Sequence, residues 1–283
     1  MILPNDLDRR ETLARPDLAA RDLEGVVRAA RFAAPVRMQV SVPVAGVHVA
    51  PNRAAEQDDQ ALFGELIDVM EVKDGWAWGQ ARRDGYVGYI CALGLQAEVT
   101  TPTHWVRALR AFAFAEPSLK SRAIGPFSLN ALVSIEDEDG AFLHAAGVGW
   151  FPARHLAAIG TFEPDFVSVA ERFIGAPYLW GGRDSIGVDC SGLVQQALLA
   201  CGRACPRDAD LQAQLGEPAP RNRLARGDLV FWRDHVGIML DAERLLHANG
   251  FHAATVVEPL TDAIARNAAG GAGEPIAYRR LTP

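Results

Sequence analysis

Between residues 36 and 98 the apolar side chains recur at every second position in short runs, "RMQVSVPV", "GELIDVMEV", "WAWGQAR" and "GYVGYI". That period fits a pleated strand with one buried face and cannot be laid along one stripe of a helix. Turn residues break the runs: "VKDGWAW" and "RRDGYVG" each set Asp-Gly between alternating segments, the pair best suited to the positive φ angles of a tight hairpin. The stretch reads as a small barrel of short strands. Residues 102–158 repeat it more loosely, "ALVSIEDEDGAFLHAAGVGWF" following "ELIDVMEVKDGWAWGQARRDGYVGYI", with Asp139-Gly140 in the place of Asp74-Gly75 and Pro117 in that of Pro51. Two tandem copies of one all-β module are the economical reading. Residues 1–35 precede them as a leader segment.

From residue 160 to 283 the texture changes. In "EPDFVSVAERFIGAP" Phe166, Val169, Ala170, Phe173 and Ile174 follow helical spacing, with Pro164 near the start and Gly175 and Pro177 past the end. A second, amphipathic helix is expected from Cys190, with Leu193, Val194, Ala197, Leu198 and Cys201 on one face and Gly202 as its stop. "GDLVFW", "HVGIML" and "RLLHANG" then read as antiparallel strands. The fold class is multi-domain: two small all-β barrels followed by an α+β domain.

Composition narrows the function. A formal charge of −7 argues against nucleic acid or an anionic membrane surface as the main partner. No run of 18 apolar residues is present to span a bilayer. The start lacks the basic and apolar regions of a secretory signal, so a cytoplasmic protein is expected. Cys91, Cys190, Cys201 and Cys205 are too few and too unevenly spaced for a disulfide framework.

The stretch "SIGVDCSGLVQQALLACG" carries the chemistry. Cys190 can be an inert buried thiol, the commoner state of a free cysteine, a zinc ligand with Cys201 and Cys205, or a nucleophile. Its place in the first turn of a helix favours the last, since free N–H groups and the dipole stabilise a thiolate there. Cys190 is accordingly expected to have a low pKa, to be exposed in a cleft and to alkylate before the other three. A thiolate nucleophile needs a base and a group to orient it. His235 opens one apolar strand and His247 closes the next, and pairing through "DAER" brings both rings to one end of a sheet.

The segment "APYLWGGRDSIGVDCSGLVQQAL" with "PRDADLQ", "GDLVFW", "HVGIML" and "LLHANG" closely resembles the NlpC/P60 family of papain-like cysteine peptidases, over residues 161 to about 260. The upstream modules resemble bacterial SH3 domains, at residues 36–98 and 102–158. The combination resembles the γ-D-glutamyl-L-diamino-acid endopeptidases, which act on murein stem peptides. The resemblance implies Cys190 as nucleophile, His235 as general base, His247 as the third polar residue and Tyr178 as a helper at the oxyanion site. It implies Asp189 and Ser191 as a lining for the pocket of the substrate's first residue, with Asp208 and Trp180 nearby. Ala209 stands where the family often has serine, which removes a hydroxyl contact to substrate. In the recycling subgroup the first barrel closes the cleft with a glutamate and a tyrosine, here Glu56 and Tyr86. Tyr89 suits that role almost as well, and barrel packing is an equal reading for both tyrosines. Glu56 and Asp189 together imply an acidic pocket for a free L-alanine ammonium. No metal or cofactor is implied. A wall-cleaving secreted hydrolase, a Cys-His acyltransferase and a non-catalytic wall-binding protein are the competing readings.

Overall fold

A computed structural model describes residues 7–281, which fall into two compact units divided between Ile159 and Gly160. The N-terminal unit is built mainly from antiparallel strands, with one short parallel pair, Ala19–Ala20 beside Phe32–Ala33. One seven-stranded sheet runs, edge to edge, through strands 57–62, 44–48, 87–91, 76–81, 66–73, 36–40 and 95–96. Its inward residues, among them Val40, Val47, Ile67, Val69, Ala77 and Ile90, form one apolar cluster, as the period-2 pattern requires. Strands Leu66–Lys73 and Trp76–Ala81 are joined by Asp74-Gly75 alone, with φ of 50° and 80°. Two successive positive φ angles define the hairpin turn whose twist matches its strands.

The second β region, 104–158, forms a five-stranded and a three-stranded antiparallel sheet around a cluster that includes Val106, Ala111, Phe127, Val133 and Phe151. The turn that corresponds to Asp74-Gly75 is shifted here by one residue. Asp139 pairs with Phe142, so the loop is Gly140-Ala141 and the positive φ falls on Gly140 alone. The described part of the leader packs on the first sheet. Leu13, Leu18 and Ala20 pack with Trp78 of the first sheet, and the Arg15 guanidinium lies 4.2 Å over the Trp78 ring. Its buried apolar residues pack against one sheet from irregular backbone, so they follow no single period.

In the C-terminal unit helix α1 is Phe166–Glu171, capped by Asp165, whose carboxylate accepts from the Val167 and Ser168 amides at 3.0 and 3.3 Å. Val167, Val169, Ala170 and Phe173 are buried, whereas Ile174, expected on the same face, is 51% exposed beyond the helix end. Helix α2 is Cys190–Ala200, and Gly202, at φ 73°, ends it. It is not amphipathic, contrary to the sequence expectation: every residue but Leu199 is buried, Gln195 and Gln196 included. The helix contacts α1, the short helix α3 (Ala209–Gln212) and the strands of the main sheet, so no face is left for water.

That sheet has six strands in the order 217–218, 277–280, 228–232, 235–239, 244–249, 254–259, and helix α4 is Leu260–Ala269. The expected strands are present as Asp228–Trp232, His235–Met239 and Arg244–Asn249. The C-terminal strand Ala277–Arg280 pairs beside Asp228–Trp232, inside the sheet rather than at its edge. Trp232, Met239, Leu245 and Ala263 make a core in which each large side chain contributes about 1.5–3 kcal/mol through apolar burial.

Candidate active site

Asp189 and Cys190 start α2. The Asp189 carboxylate caps the helix by accepting from the Gly192 amide at 2.7 Å. Glycine is required at 192, because a Cβ there would stand 2.2 Å from the Gly182 carbonyl oxygen. This close approach brings the "GG" loop against the first turn of α2, and Asp189 N donates to the same carbonyl. The loop is tied from its other side as well: Tyr178 N donates to Ala253 O at 3.0 Å, and Tyr178 bridges Val188.

The Asp189 carboxylate has a second, larger task. Arg207, 1% exposed, grips it through Nη1 to Oδ1 at 3.1 Å and Nη2 to Oδ2 at 2.6 Å, and donates to the Ser191 hydroxyl at 2.8 Å. Ser191 lies 3.3 Å from Asp189 Oδ1. Asp189 and Ser191, expected to line the pocket for the substrate's first residue, are thus held in place by Arg207. Both carboxylate oxygens are engaged by a buried guanidinium. Gln212 completes the cradle by donating to the Ser191 carbonyl at 2.9 Å.

The thiol is 7% exposed. Burial and the adjacent Asp189 carboxylate push it up to about 12, against the opposing pull of the Val236 and Ser191 amides and of Arg207. The expected low-pKa, exposed thiolate is therefore absent from the resting site. The helix terminus does act in the expected direction, but desolvation outweighs it. Burial likewise pushes His235 and His247 well below the ordinary histidine value, so both rings are neutral near pH 7. Tyr178 is held protonated chiefly by burial, with the nearby Asp189 carboxylate acting in the same direction. It therefore faces the site as a hydrogen-bond donor.

The thiol meets the strand His235–Met239 at the Val236 amide, the residue after His235. His235 and His247 are brought together as the strand pairing predicts, with His235 Nε2 2.7 Å from His247 Nδ1. His247, fully buried, places its Nε2 2.7 Å from Glu258 Oε1. Glu258 is held in turn by Arg266, whose Nη1 donates to Oε2 at 2.7 Å while Nη2 donates to Oε1. Asn249 Nδ2 lies 3.1 Å from His247 Nε2. Leu245 pairs with Glu258 and His247 with Val256, so His247 and Glu258 are diagonal neighbours on one face of the sheet. Sequence reading missed Arg207, Glu258 and Arg266. A carboxylate inside the apolar run "TVVEPL" was the one signal for Glu258.

The remaining candidates sit as follows. Trp180 is 55% exposed in the loop that carries Tyr178, and Asp208 is half-buried at the N-cap position of α3. Glu56 is exposed in the N-terminal unit just before the 57–62 strand. Tyr86 belongs to the apolar core of the first sheet at 5% exposure, the packing alternative raised for it. Tyr89 accepts at its hydroxyl from Arg15 at 3.2 Å.

Residues 175–269 match the NlpC/P60 family, and residues 47–92 match the bacterial dipeptidyl-peptidase SH3 domain. Among similar curated proteins is a γ-D-glutamyl-L-lysine dipeptidyl-peptidase of Bacillus subtilis, 32% identical over 67% of this chain and 71% of its own length. Another is dipeptidyl-peptidase 6 of Lysinibacillus sphaericus, 24% identical over 73% of this chain and 85% of that one. The crystal structure of an NlpC/P60 family protein from Bacillus cereus superposes with a TM-score of 0.74 at 20% identity, covering 87% of this chain and all of that one.

Proposed function

Because the chain belongs to the NlpC/P60 family of cysteine peptidases, we propose that it hydrolyses the bond between γ-D-glutamate and the diamino acid in murein stem peptides with a free N-terminal L-alanine, as a step of cell-wall peptide recycling in the cytoplasm. The observation that carries the catalytic part is Cys190 at the head of α2, against the strand opened by His235, whose ring is bonded to His247 at 2.7 Å. The relatives named γ-D-glutamyl-L-lysine dipeptidyl-peptidase support the substrate class. A dipeptidyl-peptidase counts two residues from an amino terminus, which supports a free peptide over intact wall.

The chemistry starts from a neutral thiol and a neutral imidazole. The Cys190 sulfur attacks the γ-amide carbonyl as its proton passes to His235, which avoids a standing ion pair in a desolvated site. The tetrahedral oxyanion is met by the Cys190 amide, one of the unpaired N–H groups of the first helical turn, and by the Tyr178 hydroxyl. His235 then gives its proton to the departing diamino-acid nitrogen, the C–N bond breaks, and a thioester remains. Water attacks the thioester, with His235 taking its proton and returning it to the sulfur. His247 orients His235 throughout.

Asp189, paired with Arg207, is not the sole carboxylate we propose for the alanine ammonium. On the resemblance set out above, we propose Glu56 as a carboxylate for that ammonium. A lost charge-assisted contact costs on the order of 2–4 kcal/mol, a tens- to hundreds-fold fall in kcat/KM. Rates on free and N-acetylated L-Ala-γ-D-Glu-diaminopimelate, in wild type and Glu56→Gln, test the reading. The expected result is a strong preference for the free amine that Glu56→Gln narrows. Equal rates on both peptides would favour a wall-cleaving hydrolase instead.

A further inference from the structure

The hydrogen-bond chain at His235 does not end at the third polar residue. It continues from His247 to Glu258 and from Glu258 to Arg266, through contacts of 2.7 Å at His235–His247, at His247–Glu258 and at Arg266 Nη1–Glu258 Oε2. Polarity along this chain follows from what each group can do. Arg266 can only donate, so Glu258 accepts from it through both oxygens. An ionised carboxylate can only accept, so the proton between Glu258 and His247 must sit on His247 Nε2. His247 Nδ1 is then a bare lone pair, and the His235 Nε2 beside it must carry a proton and donate. One nitrogen of the neutral His235 ring is left unprotonated, Nδ1. That is the atom a general base must offer to a thiol.

We infer that Glu258, clamped by Arg266, is a positioning residue that sets the tautomers of His247 and His235 and so fixes Nδ1 of His235 as the base toward Cys190. The inference rests on the assignment of Cys190 and His235 made above. Glu258 and Arg266 do not touch substrate or exchange protons with it. When His235 takes the thiol proton, its charge is felt by the Glu258 carboxylate through the His247 ring, and the proton stays on His235.

The charged and titratable groups around the chain come from each element packed on it. Asn249 and His252 belong to the end of the 244–249 strand and the turn after it, Arg266 and Asp262 to α4, and Cys190 to α2. His252 Nδ1 and its amide meet Asn249 Oδ1 at 3.1 and 2.8 Å, which leaves the Asn249 amide nitrogen pointing at His247. Two donors cannot bond each other, so that 3.1 Å approach is a contact, and the shorter Glu258 approach of 2.7 Å sets the tautomer. Arg266 also covers the Phe251 ring at 4.7 Å, which steadies the clamp.

Two opposite charges acting on one imidazole give the test its sign. Loss of the carboxylate in Glu258→Gln makes His235 a weaker base, and loss of the guanidinium in Arg266→Met makes it a stronger one. The acid limb of the kcat/KM–pH profile should therefore move down in Glu258→Gln and up in Arg266→Met, each by about half a unit to one unit. Glu258→Leu, which removes the acceptor as well, should cost roughly thirty- to hundredfold in kcat, while Glu258→Gln, which keeps an acceptor oxygen, recovers most of that loss. If the ion pair merely pinned α4 to its strand, both variants would leave the limb in place or move it the same way, and that outcome overturns the proposal.

A readout without turnover separates this from the reading beneath it. Nitrogen-15 imidazole spectra of the full chain carrying Cys190→Ala should show His247 protonated at Nε2 and bare at Nδ1, and a mixed tautomer in the Glu258→Leu background. Finding Nδ1–H on His247 with Glu258 intact refutes the inference even if His235→Ala is inactive. A fully active His235→Ala would instead refute the catalytic assignment.

Discussion

Removing the Arg207 guanidinium should cost more than removing any group that touches substrate. Arg207 is 1% exposed and Asp189 6%, and they meet through two hydrogen bonds of 2.6 and 3.1 Å. Deleting one partner of such a pair strands the other charge in a site that water cannot reach, at a cost of about 3–5 kcal/mol. The unit that holds them spans residues 160–283. With an unfolding entropy of about 2.1 cal/mol/K per residue, that loss lowers its Tm by roughly 12–19 °C. Arg207→Met keeps the buried stem and isolates the charge. Asp189→Asn/Arg207→Met removes both charges, and asparagine still caps the Gly192 amide, so the double variant should recover at least half of the loss. Scanning calorimetry of the full chain measures both, with amide exchange in α2 assigning the transition to this unit. The reasoning fails if Arg207→Met lowers Tm by less than about 4 °C, or if the double variant is no more stable than the single one.

Cys190→Ala should abolish hydrolysis with little change in Tm, since a small buried side chain is exchanged for another, and peptide turnover with calorimetry checks both. Iodoacetamide at pH 7 should label the half-buried Cys91 before Cys190, because Cys190 is buried and its thiol is pushed up to about 12; peptide mapping that finds Cys190 labelled first would contradict that site description. Tyr178→Phe should lower kcat about ten- to a hundredfold with KM nearly unchanged, as expected for a donor that acts on the developing oxyanion. Stability of the C-terminal unit should fall as pH drops below about 6.5, the ordinary histidine value from which burial depresses His235 and His247. Above that pH the rings are neutral in both states; below it the unfolded chain binds protons that the folded chain refuses. Denaturant melts from pH 7.5 to 5 measure this slope, and His235→Phe should flatten it.

The first sheet was legible because its signal is local: alternation within each strand and an Asp-Gly pair between Lys73 and Trp76. The looser second copy showed its existence but misplaced its turn by one residue, since Gly140 serves a loop that also uses Ala141. In the C-terminal unit, Cys190 at a helix start and the two histidines on successive strands could be placed because each depends on nearest neighbours in the chain. Arg207, Glu258 and Arg266 could not. Their roles come from contacts across 8 to 18 positions that depend on which face each strand presents and how α3 and α4 pack. Desolvation is likewise a property of the assembled site. The sequence shows a thiol at a helix N-terminus and an acid beside it, but not the burial that reverses the balance between them. Helix α2 misled for the same reason, because its two glutamines look like a solvent face until the layers on both sides are counted.

The full burial of α2 also bears on when activity can arise during synthesis. A helix with no solvent-facing side gains little by forming alone, and its stability comes from docking. Of the groups gathered around Cys190, Tyr178 precedes it in the chain, while Arg207, His235, His247, Glu258 and Arg266 all follow, the last of them 76 positions later. At a ribosomal rate of roughly 5–20 residues per second, a nascent chain holds its nucleophile for about 4–15 s before the final member of the relay emerges. Throughout that interval the cysteine is an ordinary unassembled thiol. Silence on the ribosome thus follows from the order in which the parts of the site are made.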